Sequence, residues 1–248
     1  MTATRSWLTP MRPRSPGEHH RVSTPLELFF DLCFVVAVAQ AAEPLHHDIA
    51  ANHVALGVGH YLMVFFAIWW AWMNFTWFAS AYDTDDDIYR ITTLVQIAGA
   101  LVLAAGIEPA FDSGNWVGIT VGYVIMRLAM VVQWLRAARN DSQRRPTALR
   151  YAFGIMIVQV FWVIRVFLPE GWATPTFLIL VVAELLVPII AERAPGGPTT
   201  YHPHHIAERY GLFTIIMLGE SVSAATIAVR TGLDGGEYFG DLLWLAGA

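Results

Sequence analysis

Long apolar segments separated by short polar breaks dominate the chain. Seven of these segments approach the roughly 20 residues that a helix needs to cross the hydrocarbon core of a bilayer. They lie near residues 25–43, 55–80, 90–108, 115–137, 150–169, 174–192 and 206–230. The breaks contain proline, glycine, asparagine or clustered acids, which commonly end helices. The pattern predicts an all-α fold, a polytopic transmembrane bundle of about seven helices plus a partial eighth.

The two ends of the chain differ from this pattern. Residues 1–24 contain four arginines and several prolines, and we expect a polar, poorly ordered tail in the cytoplasm. Residues 231–248 are predicted to form an outer loop and the start of an eighth span. That last apolar run is about half as long as a span, and half a span leaves backbone groups unpaired in lipid. We therefore expect that this end lies on the surface or that the chain is truncated.

The composition agrees with a membrane protein. Hydrophobic residues make up 56% of the chain and charged residues only 14%, whereas soluble domains carry about 25% charged residues. The chain contains a single cysteine, Cys33, so an internal disulfide is excluded.

The positions of the arginines predict the orientation in the membrane. The loop at 136–150 contains five arginines, and the tail contains four. The loops that would lie on the opposite side, 43–54, 109–114 and 170–173, contain none. Positive loops stay on the cytoplasmic side, so we expect a cytoplasmic N-terminus.

The first span carries Glu27 and Asp31. They are four residues apart and therefore lie on one helical face. Two acids this close at low dielectric do not both ionise without compensation. One is protonated, both share a cation or an arginine, or both lie at the rim of the membrane in a structural role.

Further charged residues are predicted near the middle of later spans: Arg127, Arg165, Glu184 and Glu220. Each would cost at least about 2.5–3.5 kcal/mol if left unpaired in lipid, so they should face the interior and form pairs. The alternatives are a transport pathway and a static network that fixes the packing of the helices.

An acidic run follows the second span and contains Asp83, Asp85 and Asp86, with Arg90 one turn further on. Acids are favourable at the start of a helix, which predicts that this run caps the third span. A divalent-cation site is the alternative, although the run lacks the glycine turn of a calcium loop.

Histidines lie beside the last span. His204 and Glu208 are one helical turn apart and would hold zinc if a third ligand came from elsewhere. Cysteine ligands and a second matching pair are missing from the sequence, so no metal and no cofactor are predicted.

Three stretches together resemble the bacterial low-temperature-requirement A (LtrA) family. The first is Glu27–Val35, and the second is Trp69–Trp72 followed by the acidic run and Arg90. The third and most distinctive runs from His205 to Ser221 and includes Glu208, Arg209 and Glu220. The resemblance implies a polytopic bacterial membrane protein without a firmly assigned activity. The chain departs from the family at Tyr210-Gly211, where Cys-Gln is usual, and in being shorter than most members.

The first and seventh spans also look alike. Both are predicted to begin on the cytoplasmic side with a glutamate, Glu27 in one and Glu208 in the other. Phenylalanine-rich apolar sequence follows each of them. A parallel repeat, as found in some transporters, would produce this similarity.

Three functions remain after these observations. The first is a transporter or channel for a proton, an ion or a small solute, in which the intramembrane acids work with Arg127, Arg165 and Arg209. The second is a membrane-embedded enzyme or metal-binding protein using His204, His205, Glu208 and Glu220. The third is a structural or sensory membrane protein. The expected partner is the lipid bilayer, nucleic acid is not expected, and homo-oligomerisation is left open.

Overall fold

The computed structural model describes residues 7–15, 17 and 22–234 of the chain, and this part is helical. The elements are α1 (Pro25–Ala50), α2 (Val54–Tyr82), α3 (Asp87–Ala105), α4 (Ile107–Ser113), α5 (Val117–Asn140), α6 (Arg145–Arg165), a 3-10 turn (Glu170–Trp172), α7 (Ala173–Glu192) and α8 (Pro203–Asp234).

Six segments are long and apolar enough to cross a membrane. They are formed by α1, α2, α3 together with α4, α5, α6 and α7. The predicted seventh segment, 206–230, lies within α8, which is not among these six. The predicted outer loop differs at its start, because residues 231–234 belong to α8. The rest of that loop and the partial eighth span fall on residues 235–248, outside the described part.

Local sequence explains where several helices begin. Thr24 caps α1 by accepting a hydrogen bond from the Glu27 amide, and the Glu27 carboxylate accepts one from the Thr24 amide in return. This reciprocal pair satisfies amides that a helix start leaves free. The first predicted segment ends at residue 43, whereas α1 continues through Pro44 to Ala50.

Helices α3 and α5 pack closely because glycines face each other across their interface. A Cβ on Gly122 would lie 2.5 Å from the carbonyl oxygen of Gly99. A Cβ on Gly118 would lie 2.8 Å from the Cα of Gly106. Small residues at such positions let two membrane helices bring their backbones into contact.

Large apolar side chains cover the outside of the bundle. Phe153 on α6 is 62% exposed and Ile179 on α7 is 65% exposed. Wide apolar surfaces of this kind are unusual on soluble monomers. They are the faces that lipid chains cover in a membrane protein.

The N-terminal segment differs from the prediction of a free tail. Met11 is completely buried. The Thr9 amide donates to Asp86 Oδ2 at 2.8 Å, and the Arg14 amide donates to the Ala81 carbonyl at 2.9 Å. Residues 7–15 are therefore packed against the junction between α2 and α3.

The first turns of α1 and α8 lie together at one end of the bundle, together with the last turn of α2 and the start of α3. We call this the N-terminal end of the bundle. An even number of crossings must separate the starts of α1 and α8 if both lie on one side of the membrane. The six candidate spans before α8 satisfy this requirement.

Candidate functional site

Four buried ionisable residues join α1 to α8 at the N-terminal end, and we call them the α1–α8 cluster: Glu27, Asp31, His205 and Arg209. Glu27 and His205 are the third residues of their helices, and Asp31 and Arg209 are the seventh. Residues four apart lie on one face of a helix. When two parallel helices make contact through these faces, the third residue of one helix lies beside the third residue of the other, and the seventh beside the seventh.

Arg209 lies at the centre of the cluster. Its Nε donates to Asp31 Oδ2 at 2.9 Å and its Nη2 donates to Asp31 Oδ1 at 2.5 Å. Its Nη1 lies 3.1 Å from Glu27 Oε1. Two-pronged contact between a guanidinium and a carboxylate is a strong and directional arrangement. One arginine is therefore shared by both acids, which was one of the alternatives predicted for Glu27 and Asp31.

Both carboxylates of the cluster are surrounded by donors. Trp72 Nε1 donates to Asp31 Oδ1 at 2.6 Å. The Thr24 amide donates to Glu27 Oε2 at 2.8 Å, and His205 Nε2 lies 3.3 Å from Glu27 Oε1. An ionised carboxylate only accepts hydrogen bonds. These donors offset part of the cost of burying two carboxylates.

This cluster is electrically neutral only if one further positive charge, such as a proton, joins it. Glu27 and Asp31 contribute two negative charges and Arg209 contributes one positive charge. All four side chains are at most 1% exposed, and a net charge at such a site is costly. A proton on His205 would supply the balance, because His205 Nε2 lies 3.3 Å from Glu27 Oε1. Neither ring nitrogen of His205 has a hydrogen-bond partner among the residues that the structure describes.

A second buried group surrounds Glu184 on α7, and we call it the Glu184 cluster. Arg127 Nη2 donates to Glu184 Oε2 at 2.6 Å, and both side chains are at most 1% exposed. Three further donors lie around the same carboxylate, within 3.2 Å: Trp70 Nε1, Tyr123 OH and Trp162 Nε1. One acid faces one arginine here, so the charges balance without a proton.

Arg165 differs from its predicted role. It is the last residue of α6, and it donates from Nε and Nη2 to the Ala173 carbonyl at 3.2 and 3.0 Å. Its guanidinium also lies 5.5–5.9 Å from the ring centroids of Trp116, Trp162 and Phe177. Within the described ranges no carboxylate pairs with it. Aromatic faces and a helix-terminal carbonyl stabilise this cation instead.

Two other acids of α8 do not pair with the α1–α8 cluster. Glu208 is half-buried, and its Oε1 accepts a hydrogen bond from the Ser23 amide at 3.4 Å. Glu220 is exposed on the same helix. His204 is exposed as well, whereas His205 is buried. The described residues contain no group of three or more His, Cys, Asp or Glu placed to hold a metal ion.

The acidic run after α2 caps α3, as predicted. Asp86 is the N-cap residue, and its Oδ1 accepts from the Tyr89 amide at 2.7 Å. Its Oδ2 also pairs with Arg136 Nη2 at 2.6 Å. Burial by itself raises the pKa of Asp86, but the amides of Thr9 and Tyr89 and the Arg136 guanidinium outweigh it and lower the pKa below its usual value.

The other members of this run lie nearer the surface. Asp85 has a left-handed backbone with φ of 47° and forms an exposed ion pair with Arg90 at 2.8 Å. Asp83 lies 3.5 Å from the Arg14 guanidinium of the N-terminal segment. These acids therefore tie the N-terminal segment and the start of α3 together.

The sequence analysis did not identify the role of two tryptophans of α2. Trp70 and Trp72 each donate to a buried carboxylate. The equal spacing from Pro25 to Glu27 and Asp31, and from Pro203 to His205 and Arg209, was the signal that could have identified His205. The predicted repeat aligned Glu27 with Glu208. In the structure Glu27 faces His205 instead.

Comparison with known proteins agrees with this architecture. An uncharacterized protein of Rhizobium meliloti (strain 1021) is 29% identical over 204 residues, which cover 79% of this chain and 48% of the relative. The chain thus spans about half the length of this curated relative. No solved structure matches the chain. The family model described as bacterial low temperature requirement A protein (LtrA) matches residues 22–248. This multi-pass membrane protein therefore belongs to the bacterial low temperature requirement A family.

Proposed function

We propose that this chain is part of a proton-linked transport protein of the bacterial inner membrane, and that the α1–α8 cluster is its proton-binding site. The observation that supports this function is the charge count at Glu27, Asp31, His205 and Arg209. Three of these residues carry fixed charges that do not cancel, and the fourth is a histidine, whose proton is the most easily exchanged near neutral pH.

Loss of that proton would change the packing of two helices. His205 without its proton would leave one uncompensated negative charge in a buried site, which is strongly unfavourable. The deprotonated cluster is therefore expected to favour an arrangement in which water reaches Glu27 or α8 moves away from α1. A proton that binds one arrangement better than the other shifts the balance between them. This is the coupling that a transporter requires.

The distribution of arginines supports a cytoplasmic position for the N-terminal end of the bundle. The connection between α5 and α6 lies at this end, because Tyr82 OH at the end of α2 donates to Asp141 Oδ2 at 3.0 Å. This connection and the last turn of α5 carry Arg136, Arg139, Arg144 and Arg145. Clustered arginines on short loops are retained in the cytoplasm. The proposed site would then exchange its proton with the cytoplasm.

A structural role is the second candidate, and the Glu184 cluster favours it. Glu184 is balanced by Arg127 and its carboxylate accepts from four neutral side chains in the described part of the chain, so this group needs no exchangeable proton. We assign the Glu184 cluster to holding α2, α5, α6 and α7 together. A protein in which the α1–α8 cluster did the same would be a scaffold and would not move protons.

Proton flux into liposomes separates these two functions. Liposomes that contain the purified chain and a trapped pH-sensitive dye receive a membrane potential from a potassium gradient and valinomycin. We expect faster acidification than in empty liposomes, and a rate near that of empty liposomes for Glu27→Gln and His205→Gln.

Glu43→Gln is the matched control, because Glu43 is an exposed glutamate on the same helix as Glu27. It should retain the flux of the unmodified chain. Flux equal to that of empty liposomes for the unmodified chain across the pH range would overturn the proposed function and favour the scaffold.

A further inference from the structure

A cavity of about 270 Å³ lies between α2, α5, α6 and α7 at the N-terminal end of the bundle. The segment that joins α7 to α8 forms one of its walls through Thr199 and Tyr201. Neither the α1–α8 cluster nor the Glu184 cluster lines this cavity. A ligand in the cavity would therefore bind apart from the proton site, whether or not the protein moves protons.

Five of the ten residues that line the cavity are aromatic: Trp77, Phe78, Trp134, Tyr151 and Tyr201. They support one another: Trp134 stacks on Tyr151 with ring centroids 4.1 Å apart, Phe78 meets Trp134 edge-on at 4.8 Å, and Trp77 contacts Tyr201 at 4.6 Å. Aromatic faces attract a cation that comes within about 6 Å of the ring centroid.

One carboxylate completes the lining, that of Glu192 at the end of α7. Tyr151 OH donates to its Oε1 at 2.7 Å. The Thr199 hydroxyl donates to the same oxygen at 2.9 Å, and the Thr199 amide donates to Oε2 at 2.9 Å. These donors are all neutral. They fix the orientation of the carboxylate but leave its negative charge uncompensated.

This arrangement sets Glu192 apart from the buried acids of the bundle. Asp31, Asp86 and Glu184 each have an arginine within 2.9 Å. No arginine or histidine in the described part of the chain lies within 4 Å of the Glu192 carboxylate. The nearby Arg144 is directed elsewhere, to Asp141 at 3.5 Å and to the Pro198 carbonyl at 2.9 Å.

A half-buried carboxylate beside five aromatic rings has the chemistry of a receptor for an organic cation. An inorganic cation would need more oxygen ligands than one carboxylate supplies. An ammonium with alkyl groups would place its charge near Glu192 and its carbon atoms against the rings. We propose that this cavity binds an organic ammonium ion, with Glu192 as the counter-charge. The ammonium can belong to a free solute or to an amine lipid headgroup.

Equilibrium binding of radiolabelled choline to the purified chain in detergent tests the proposal. We expect saturable binding that unlabelled choline displaces and 3,3-dimethyl-1-butanol does not. The two molecules have the same shape, but the alcohol has carbon in place of the charged nitrogen. Glu192→Gln should weaken choline binding at least tenfold, whereas Glu43→Gln, at an exposed glutamate on α1, should leave it unchanged.

A second pair of variants, at Tyr201, tests the contribution of the aromatic lining to choline binding. Tyr201 is 39% exposed and lies on a loop, so its truncation leaves the bundle intact. Tyr201→Phe keeps the ring and should bind choline like the unmodified chain, while Tyr201→Ala should bind several-fold more weakly. This pair keeps the proposal testable if Glu192→Gln fails to fold.

Lipid composition distinguishes the two sources of the ammonium. Choline binding is compared in nanodiscs of phosphatidylglycerol alone and in nanodiscs that also contain phosphatidylethanolamine. Weaker choline binding in the second set would identify the amine headgroup as the occupant, and equal binding would identify a free solute. Equal affinity for choline and the neutral alcohol, or no choline binding in detergent and in both nanodiscs, would overturn the proposal. Because binding is measured without flux, its failure leaves the proton-linked function untouched.

Discussion

Asp31 and Arg209 are 178 residues apart in the sequence and form a buried two-pronged ion pair between the seventh residues of α1 and α8. His205 lies 3.3 Å from Glu27 one turn earlier on the same two helices. The two contacts fix α8 beside α1 in a parallel arrangement. They also make the attachment of α8 dependent on charge.

The Asp31–Arg209 pair should therefore contribute strongly to stability. Asp31→Asn removes the charge-assisted hydrogen bonds from Arg209, while Glu27 still balances its charge, and we expect a loss of about 1.5–3 kcal/mol in the free energy of unfolding. Thermal or denaturant unfolding of the purified protein in detergent measures it. Glu43→Gln should change the value by less than about 0.5 kcal/mol. A loss for Asp31→Asn no larger than for this control would show that the pair does not hold α8.

The Glu184 cluster should behave as a fixed structural pair. Glu184→Gln leaves Arg127 buried without a counter-charge, which should cost about 3–5 kcal/mol. In the double variant Arg127→Met with Glu184→Gln, the unpaired charge is removed and the glutamine oxygen still accepts from Tyr123 and Trp162. Most of the lost stability should return in the double variant. If the two substitutions simply added in the same unfolding assay, the charge of Arg127 would not be the source of the loss.

Asp86 gives the stability a predictable dependence on pH. Its pKa is lower in the folded protein than in the unfolded chain, so its contribution to stability is complete above the ordinary aspartate pKa. That contribution decreases as the pH falls from about 4 through the lower folded pKa.

Asp86→Asn tests this contribution. The variant should be less stable at neutral pH by about 3 kcal/mol, because it removes the charge facing buried Arg136. Its unfolding midpoint should also fall less steeply at acid pH than that of the unmodified protein. If the unfolding midpoints of the two proteins fell equally with pH, Asp86 would not be the source of the acid dependence. Arg90→Gln, which removes an exposed pair with Asp85, is the control and should keep the acid slope.

The close contact of α3 and α5 leads to a prediction about glycine. A Cβ on Gly122 would overlap the Leu103 amide nitrogen, and this backbone cannot move aside as a side chain would. Gly122→Ala should therefore force the helices apart and cost about 1–3 kcal/mol. Gly59→Ala on α2 is the matched control, because no atom lies within 4 Å of its added Cβ. Equal unfolding temperatures for both variants would argue against the close packing of α3 and α5.

Hydropathy alone was sufficient to predict the membrane bundle, because the cost of burying polar backbone in lipid makes long apolar helices unmistakable. Hydropathy could not predict whether the first helix ends at Pro44 or continues through it. A long membrane helix tolerates a proline when its neighbours hold it in place, and α1 continues through this residue.

The partners of the charged residues were harder to predict than their presence. The spacing of Glu27 and Asp31 showed that they share a face and need compensation. It did not show that Arg209 supplies this compensation, because a helical face carries no information about which distant helix it meets. Arg165 is the opposite case: its charge predicted an acidic partner, but its position at the end of α6 gave it a carbonyl and three aromatic rings.

The central claim is that His205 carries the proton that balances the α1–α8 cluster. Nitrogen NMR of the protein labelled at histidine, compared with the His205→Gln variant, measures this directly, since the variant identifies the His205 signals. We predict that at neutral pH both ring nitrogens of His205 carry protons. A neutral His205 ring at that pH in the folded protein would contradict it.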